Sequence, residues 1–249
     1  MRCMGTAADL AALIRDRGPA VVLTGAGMST ESGIPDFRSA SGLWAEVDPF
    51  EVASIDAFRR DPLRVWRWYG PRIAGLLAAE PNAGHVALAA LERSGHVRCV
   101  VTQNIDLLHT RAGSVDVTEV HGSIARFTCL ACGGEEALAR VLAQLELREA
   151  PVCAACGSIL KPGVVMFGEL LPPDAMLRAE LLCREAPLLL VVGSSLQVWP
   201  VAGLPNETLS AGGAMAIVNL DETPYDAHAA IIVRDGSGPT LAAVAGALA

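Results

Sequence analysis

The residues of this sequence with chemistry to offer are two Cys-x-x-Cys pairs, a set of polar turns that end apolar runs, and one histidine placed like those turns. Cys129-Leu-Ala-Cys132 is followed, after 20 residues, by Cys153-Ala-Ala-Cys156. Two short loops with two thiolates each supply the four soft ligands of a tetrahedral zinc ion. Four protein ligands leave no open position, so such a site is structural rather than catalytic. Two redox pairs or buried thiols are the alternative. The polar turns are Thr24-Gly25-Ala26-Gly27, Thr102-Gln103-Asn104-Ile105-Asp106, Gly193-Ser194-Ser195 and Asn219-Leu220-Asp221. Glycines let main-chain amides approach phosphates, and short polar side chains hold ribose hydroxyls. Four such turns on one sheet edge point to a dinucleotide. His121, in Glu119-Val120-His121-Gly122-Ser123, falls on the same edge. An imidazole there suits general-base work near neutral pH, whereas a satisfied structural histidine is the plainer reading. His85 and His109 lie in helical patterns, and His96 and His228 near turns, with weaker claims.

The elements that must position these groups are strands. Apolar runs at 20–23, 97–101, 115–120, 188–192, 215–218 and 231–233 are almost wholly apolar rather than alternating. That is the pattern of strands covered on both faces, as in a parallel sheet. Helical patterns lie between several of them, at 85–95, at 173–186 and at the C-terminal 239–249. Strands alternating with helices predict a doubly wound, mostly parallel, Rossmann-like α/β domain, whose ligands bind at the carboxyl ends of the strands. Two stretches break the rhythm. Residues 36–82 hold three of the four tryptophans and no strand-like run, and residues 123–162 hold both Cys-x-x-Cys pairs. Both read as insertions forming one smaller module with a helical part and a zinc-binding part. The expected division is 1–35, 83–122 and 163–249 for the Rossmann-like domain, and 36–82 with 123–162 for the module.

Bulk properties narrow the partners. The 249 residues are 52% hydrophobic, enough for a sizeable core, and carry a formal charge of −8. With no basic run, that charge argues against nucleic acid. No apolar run reaches the ~18 residues of a membrane span, and the charged start at 1–18 predicts an amphipathic helix rather than a signal peptide. Seven cysteines without a secretory signal suit a reducing, cytoplasmic compartment. Cys99 and Cys183 lie in apolar segments and read as core residues, and Cys3 as unpaired.

The stretch VVLTGAGMSTESGIPDFRS at 21–39 is at odds with ordinary dinucleotide binding. The pattern G-x-G-x-x-G would place its third glycine at Thr30, yet the next glycine is Gly33, and Asp36-Phe37-Arg38 follows. Together with TQNIDLLH, HGS, the two Cys-x-x-Cys pairs, GVVMFGE, GSSLQVWP and VNLDE, in this order over nearly the whole chain, the stretch resembles the sirtuins, NAD-dependent protein lysine deacylases. The resemblance implies that the glycine turn, Gly25, Ala26 and Gly27, binds pyrophosphate while the Asp36-Phe37-Arg38 loop folds over the nicotinamide ribose. Phe37 would shield the ribose carbon exposed when nicotinamide leaves, and Asp36 and Arg38 would hold loop and ribose. Gln103 matches a ribose contact, Asn104 the residue that organises the ribose and a water, and Asp106 with Ile105 the carboxamide contact. Gly193, Ser194 and Ser195 match phosphate or ribose contacts, and Asn219, Leu220 and Asp221 the adenosine end. His121 matches the general base, with Asn104 beside it in the catalytic pair. In the implied mechanism the acyl oxygen attacks ribose C1′ as nicotinamide leaves. His121 then takes a proton through the ribose hydroxyls so that the 2′-oxygen attacks the imidate. The products are free lysine, nicotinamide and 2′-O-acyl-ADP-ribose. NAD is consumed as co-substrate and one structural zinc is held. The protein substrate pairs through its backbone with Val165, Met166 and Phe167.

Three positions bear on the acyl group. Tyr69 and Arg72 match the Y-x-x-R of sirtuins that remove succinyl and malonyl groups, and Ala53 a small residue that widens their pocket. Arg72 could fork onto a carboxylate with Tyr69 donating beside it. Between the two lies Gly70-Pro71, which predicts that one helix ends at Tyr69 and another opens at Pro71. Met166 replaces the aromatic that the acidic-acyl group often carries, so deacetylation stays alongside. A mono-ADP-ribosyltransferase or a catalytically silent NAD or ADP-ribose sensor is the alternative on the same fold. The glycine spacing and the Asp-Phe-Arg loop speak against a dehydrogenase.

Overall fold

The structure, a computed structural model, describes residues 4–37, 39, 42–45 and 47–249. Its strands are β1 (Ala20–Thr24), β2 (Val97–Thr102), β3 (Val117–Glu119), β4 (Gly122–Thr128), β5 (Glu135–Ala137), β6 (Lys161–Val164), β7 (Leu188–Val192), β8 (Ala214–Val218) and β9 (Ile231–Val233). The helices are α1 (Ala7–Arg17), α2 (Pro49–Val52), α3 (Ile55–Arg60), α4 (Pro62–Ala78), α5 (Ala83–Arg93), α6 (Leu108–Arg111), α7 (Leu138–Leu145), α8 (Pro173–Glu185), α9 (Leu204–Ser210) and α10 (Ser237–Leu248).

Six strands form one parallel sheet in the order β3-β2-β1-β7-β8-β9. Counted among themselves this is 3-2-1-4-5-6, the Rossmann order, and the chain reverses direction across the sheet between β1 and β7. The continuous apolar runs have a plain cause. Side chains alternate across a strand, so each run feeds two cores. Val22, Leu188, Leu190 and Val192 pack with α1, α5 and α10 on one face. Val21, Leu23, Leu189 and Val191 pack with α8 and α9 on the other. Cys99 and Cys183 lie fully buried in that second core, as the sequence predicts, and Cys3 lies outside the described residues.

The run at 115–120 yields only a three-residue strand, since Val115 is 87% exposed and Asp116 merely offers its carbonyl to the Val100 amide.

A second, three-stranded antiparallel sheet, β5-β4-β6, stands beside the first. One apolar cluster joins it to the helices that precede it in sequence: Ala57, Phe58, Trp66, Tyr69 and Ile73 pack with Ile124, Phe127, Leu160 and Met166. Here the sequence expectation of a helix break is corrected. α4 runs through Pro71 from Pro62 to Ala78. Gly70 carries no Cβ to clash with the proline ring, which removes the usual bar to a helical residue before proline. The carbonyl of Arg67, which loses its helical donor, belongs to an exposed residue that water can reach. Val65, Trp66, Tyr69 and Ile73 are buried on both sides of the proline, and the Trp66 Nε1 donates to Leu160 O at 2.7 Å. Packing of this kind outweighs the ~3 kcal/mol that proline costs a helix interior.

Candidate active site and metal centre

The carboxyl ends of β1 and β7 meet at the switch point. The Gly27 amide donates to Gly193 O at 2.9 Å, and the Gly25 amide to Val192 O at 3.1 Å. A Cβ on Gly193, which has φ +59°, would sit 2.2 Å from the Met28 amide nitrogen, so only glycine lets the two turns approach. No α-helix follows the first turn; short 3-10 turns at Ala26–Met28 and Thr30–Ser32 lead into the loop instead. That agrees with the missing third glycine.

Polar side chains from β1, β2 and β7 interlock on this edge. Gln103 Nε2 donates to Ser194 Oγ at 3.0 Å. Asn104 Nδ2 donates to Gly25 O at 3.0 Å and Ser29 Oγ at 3.1 Å. Ser29 Oγ donates in turn to Asp106 Oδ2 at 2.7 Å, and Asp106 Oδ1 accepts from the Leu108 amide at 2.9 Å. Asn104 is 8% exposed and Asp106 5%, so both are fixed before any ligand arrives. His121 follows β3, and its Nδ1 lies 3.1 Å from Gln103 O. A carbonyl only accepts, so Nδ1 carries the proton of the neutral ring and Nε2 is the basic nitrogen. Gly122 beside it has φ +73°, and a Cβ there would meet Gly163 O at 2.2 Å. The turn that carries His121 is therefore held close against β6.

His121, Gln103, Asn104, Ile105 and Asp106 line one cavity of about 560 Å³ with Ala26, Ser29 and Phe37. The same cavity is lined by Ala53, Tyr69, Arg72, Val165, Met166 and Phe167. Residues singled out from sequence for the cofactor and for the acyl substrate thus share one space. Asp36 holds the loop above it, accepting the Ser39 amide at 2.8 Å, and Phe37 stacks on Trp44 at 5.3 Å. Arg38 lies outside the described residues. Gly25, Gly27, Gly193, Ser194, Ser195, Asn219, Leu220 and Asp221 do not line this cavity; the last three stand at the end of β8, with Leu220 70% exposed. The wall formed by Val165–Phe167 is braced from below. Lys161, 5% exposed, donates to Val164 O at 2.7 Å and pairs with Glu169 at 3.0 Å, and Glu169 accepts the Met166 amide at 2.8 Å.

The four cysteines converge at the far end of the small sheet. Their sulfurs all lie within 4.8 Å of one another, with Cys129–Cys156 at 3.4 Å and Cys132–Cys153 at 3.6 Å. A tetrahedron with zinc–sulfur bonds of ~2.3 Å has edges of about 3.8 Å, so the donor set fits zinc. The two turns are built alike. The Gly133 amide donates to Cys129 O and the Gly157 amide to Cys153 O, each at 2.9 Å.

The Sir2 family model matches residues 25–200. The chain belongs to the Sir2 family. NAD-dependent protein deacylase 1 of Archaeoglobus fulgidus is 43% identical over 221 residues, covering 89% of each chain. A solved complex of a Sir2 enzyme with a p53 peptide and NAD+ superposes with a TM-score of 0.85 at 40% identity, covering 94% of both chains. Sir2Tm bound to a propionylated peptide superposes at 0.87 with 39% identity, covering 97% of this chain and 98% of that one.

Sequence reasoning does not single out three residues of this Sir2 site. Ser29 bridges Asn104 and Asp106 but is one hydroxyl in a polar stretch with no strand-end signal. Trp44 and Trp68 wall the cavity, stacked at 5.7 Å with 14° between their planes. The crowding of tryptophans in 36–82 was their only trace in the sequence.

Behind the site, His85 and His109 lie buried with ring centroids 4.8 Å apart. Burial pushes His109 down to about 3, with His85 adding to the shift. It pushes His85 down to about 4, against the Asp106 carboxylate. An unfolded histidine titrates near 6.5, so above that pH both states are neutral and no proton is exchanged. Below it the unfolded chain takes up protons that the folded chain refuses. Stability is therefore expected to fall as pH drops from about 6.5 towards 4, by up to about 1.4 kcal/mol per pH unit for each ring. Urea midpoints at pH 7.5 and pH 5.0 measure it. Equal midpoints would show that the rings titrate normally.

Proposed function

We infer that this chain removes acyl groups from lysine side chains of proteins, consuming NAD and releasing nicotinamide and 2′-O-acyl-ADP-ribose. The observation that carries the reading is the single cavity in which His121, Asn104 and Asp106 meet the wall of Tyr69, Arg72 and Val165–Phe167. An ADP-ribosyltransferase or a silent sensor has no need of an acyl-sized compartment joined to a fixed base. The assay is mass detection of 2′-O-acyl-ADP-ribose formed with an acetyl-lysine peptide and NAD. Formation of ADP-ribosylated peptide instead would assign the transferase.

In this reading Gly25–Gly27, Gly193 and Ser194 cradle the pyrophosphate, with Ser195 beside them. Gln103, with Asp36, Phe37 and Arg38, holds the nicotinamide ribose. Ile105 and Asp106 take the carboxamide, and Asn219–Asp221 flank the adenosine. His121 Nε2 takes the proton from the ribose hydroxyls, with Asn104 ordering ribose and water. The substrate backbone lies along Val165–Phe167. The amides of Val165 and Phe167 are already committed, to His121 O and Ala53 O at 2.8 Å each, and the carbonyls of Met166 and Phe167 accept from the Glu169 and Ile55 amides at 3.0 Å each, so the Val165 carbonyl is the group this strand offers an incoming chain without competition. Zinc in the four cysteines holds the small module together. The division into 1–35, 83–122 and 163–249 against 36–82 with 123–162 is supported by an apolar cluster drawn mostly from the second set, which Val164 and Met166 join from the first. A cytoplasmic location and a protein rather than nucleic-acid partner go with thiolates kept reduced and a charge of −8. Among the described residues no helix is long and apolar enough to cross a membrane.

The acyl pocket extends the reading to succinyl and malonyl groups. Because α4 is unbroken, Tyr69 and Arg72 sit one turn apart on one face and both line the cavity. The Arg72 guanidinium is held 4.0 Å over the Trp68 ring, with Nη1 donating to Trp68 O at 2.8 Å. Arg72→Met removes the cation and leaves an acyl carboxylate buried without a partner. Breaking such a pair costs ~3–5 kcal/mol, and half of that, allowing for water entering the pocket, is at least about tenfold. The succinyl-to-acetyl ratio of kcat/KM should fall by that factor. A proportional fall in both rates would make Arg72 structural.

A further inference from the structure

One residue of the acyl pocket wall carries a polar group that nothing above employs. Trp68 lines the cavity, and its indole Nε1 is buried with no acceptor among the described residues. The ring is not free to turn away in search of one. Tyr69 meets it edge-on at 4.7 Å, Trp44 stacks on it at 5.7 Å, and the Arg72 guanidinium sits 4.0 Å over it. The other large indole of this helix shows the contrast: Trp66 Nε1 is paired with Leu160 O at 2.7 Å. A buried donor left unpaired is costly, and native interiors keep few without a reason. A ligand oxygen is such a reason. We propose that Trp68 is a specificity-determining residue whose indole N–H donates a hydrogen bond to an oxygen at the distal end of the acyl chain.

The inference rests on the acidic-acyl reading for its substrate class and adds a different selection rule. Arg72 selects charge, whereas an N–H selects any acceptor. Succinyl, with a carboxylate on its fourth carbon, would satisfy both groups. Succinamoyl, its neutral amide, would satisfy Trp68 alone. Butyryl, which ends in a methyl, would satisfy neither and would leave the indole N–H buried and unpaired. The discrimination is therefore that of one hydrogen bond, gained by the oxygenated groups and missed by butyryl, which leaves the donor as unpaired as it is without substrate.

The test measures kcat/KM on one peptide carrying butyryl, succinamoyl or succinyl lysine. Trp68→Phe removes the donor and keeps an aromatic ring. The succinamoyl-to-butyryl ratio should fall about three- to tenfold from wild type, whatever happens to the butyryl rate itself. Replacing Trp68 by benzothienylalanine, which exchanges the N–H for sulfur at constant shape, should give the same fall and covers the case in which the phenyl ring disturbs packing. An unchanged ratio in the sulfur variant overturns the proposal, as does a wild type that turns over butyryl-lysine and neither oxygenated acyl group. Arg72→Met separates the two ideas. If the carboxylate pairing is wrong, the succinyl-to-succinamoyl ratio does not move in Arg72→Met, while the Trp68 effect on succinamoyl persists.

Discussion

His121→Ala should lower deacylation by at least about 100-fold while NAD still binds within a few-fold of its wild-type affinity. The size follows from what a positioned base contributes, typically two to four orders of magnitude. The separation of turnover from binding follows from the geometry. His121 projects from the turn between β3 and β4, whereas Gly25, Gly27 and Gly193 lie on the turns that follow β1 and β7. Its ring makes a 3.1 Å contact with Gln103 O, a main-chain atom that β2 holds in place without it, since the Gln103 amide donates to Thr24 O at 3.0 Å. Removing the imidazole therefore leaves the Asn104–Ser29–Asp106 network standing. Single-turnover rates, calorimetric NAD binding and a melting temperature on the same preparation check the point. A variant that kept most of its rate would refute the base assignment. A loss of rate with a large drop in melting temperature would make the histidine a structural post.

Much of this site is legible in the sequence. The strand ends were legible because a parallel strand buried on both faces carries few polar residues before its last position. Thr24, Thr102 and Gly193 mark those exits, and His121 follows β3 across Val120. What the strands hold was legible too, as glycine spacing around a close approach that a Cβ would forbid. The break at Pro71 was misjudged because the rule for proline is local, whereas the residues that overrule it, Phe127 and Leu160 among them, come from 50 or more positions away. The small sheet was not legible at all. GSIARFT, EEA and KPGV are short, partly polar and include Pro162, and they pair because the two cysteine turns hold their ends. Trp68 is the clearest case of what sequence conceals. A tryptophan in a helical apolar pattern reads as packing, and only the fold shows that its N–H has no acceptor among the described residues.

Zinc removal should abolish activity although no zinc ligand lies in the cavity. Metal analysis should find one zinc per chain, and a strong chelator should take activity to background with loss of the module's structure. The path is short. Cys129 follows directly on β4, and β4 begins at Gly122, the residue after His121. Cys153 and Cys156 lead into β6, which pairs with β4 through Gly122–Val164 and Thr128–Lys161 and then continues as Val165–Phe167. Structural zinc sites in small folds contribute on the order of 10–16 kcal/mol, far more than these short strands can replace from their own packing. Without the metal the two turns lose the bonds that join them, β4 and β6 loosen, and both His121 and Val165–Phe167 lose their support. A structural role also fixes what restores the enzyme. With four thiolates and no open position, the ion contributes geometry only, so cadmium should rescue chelated protein to a rate close to that of zinc. Cys129→Ser should reproduce the chelated state without any chelator. Fully active protein with no bound metal would sink the assignment, and a rate that tracked the identity of the ion would turn the site from a clamp into a catalyst.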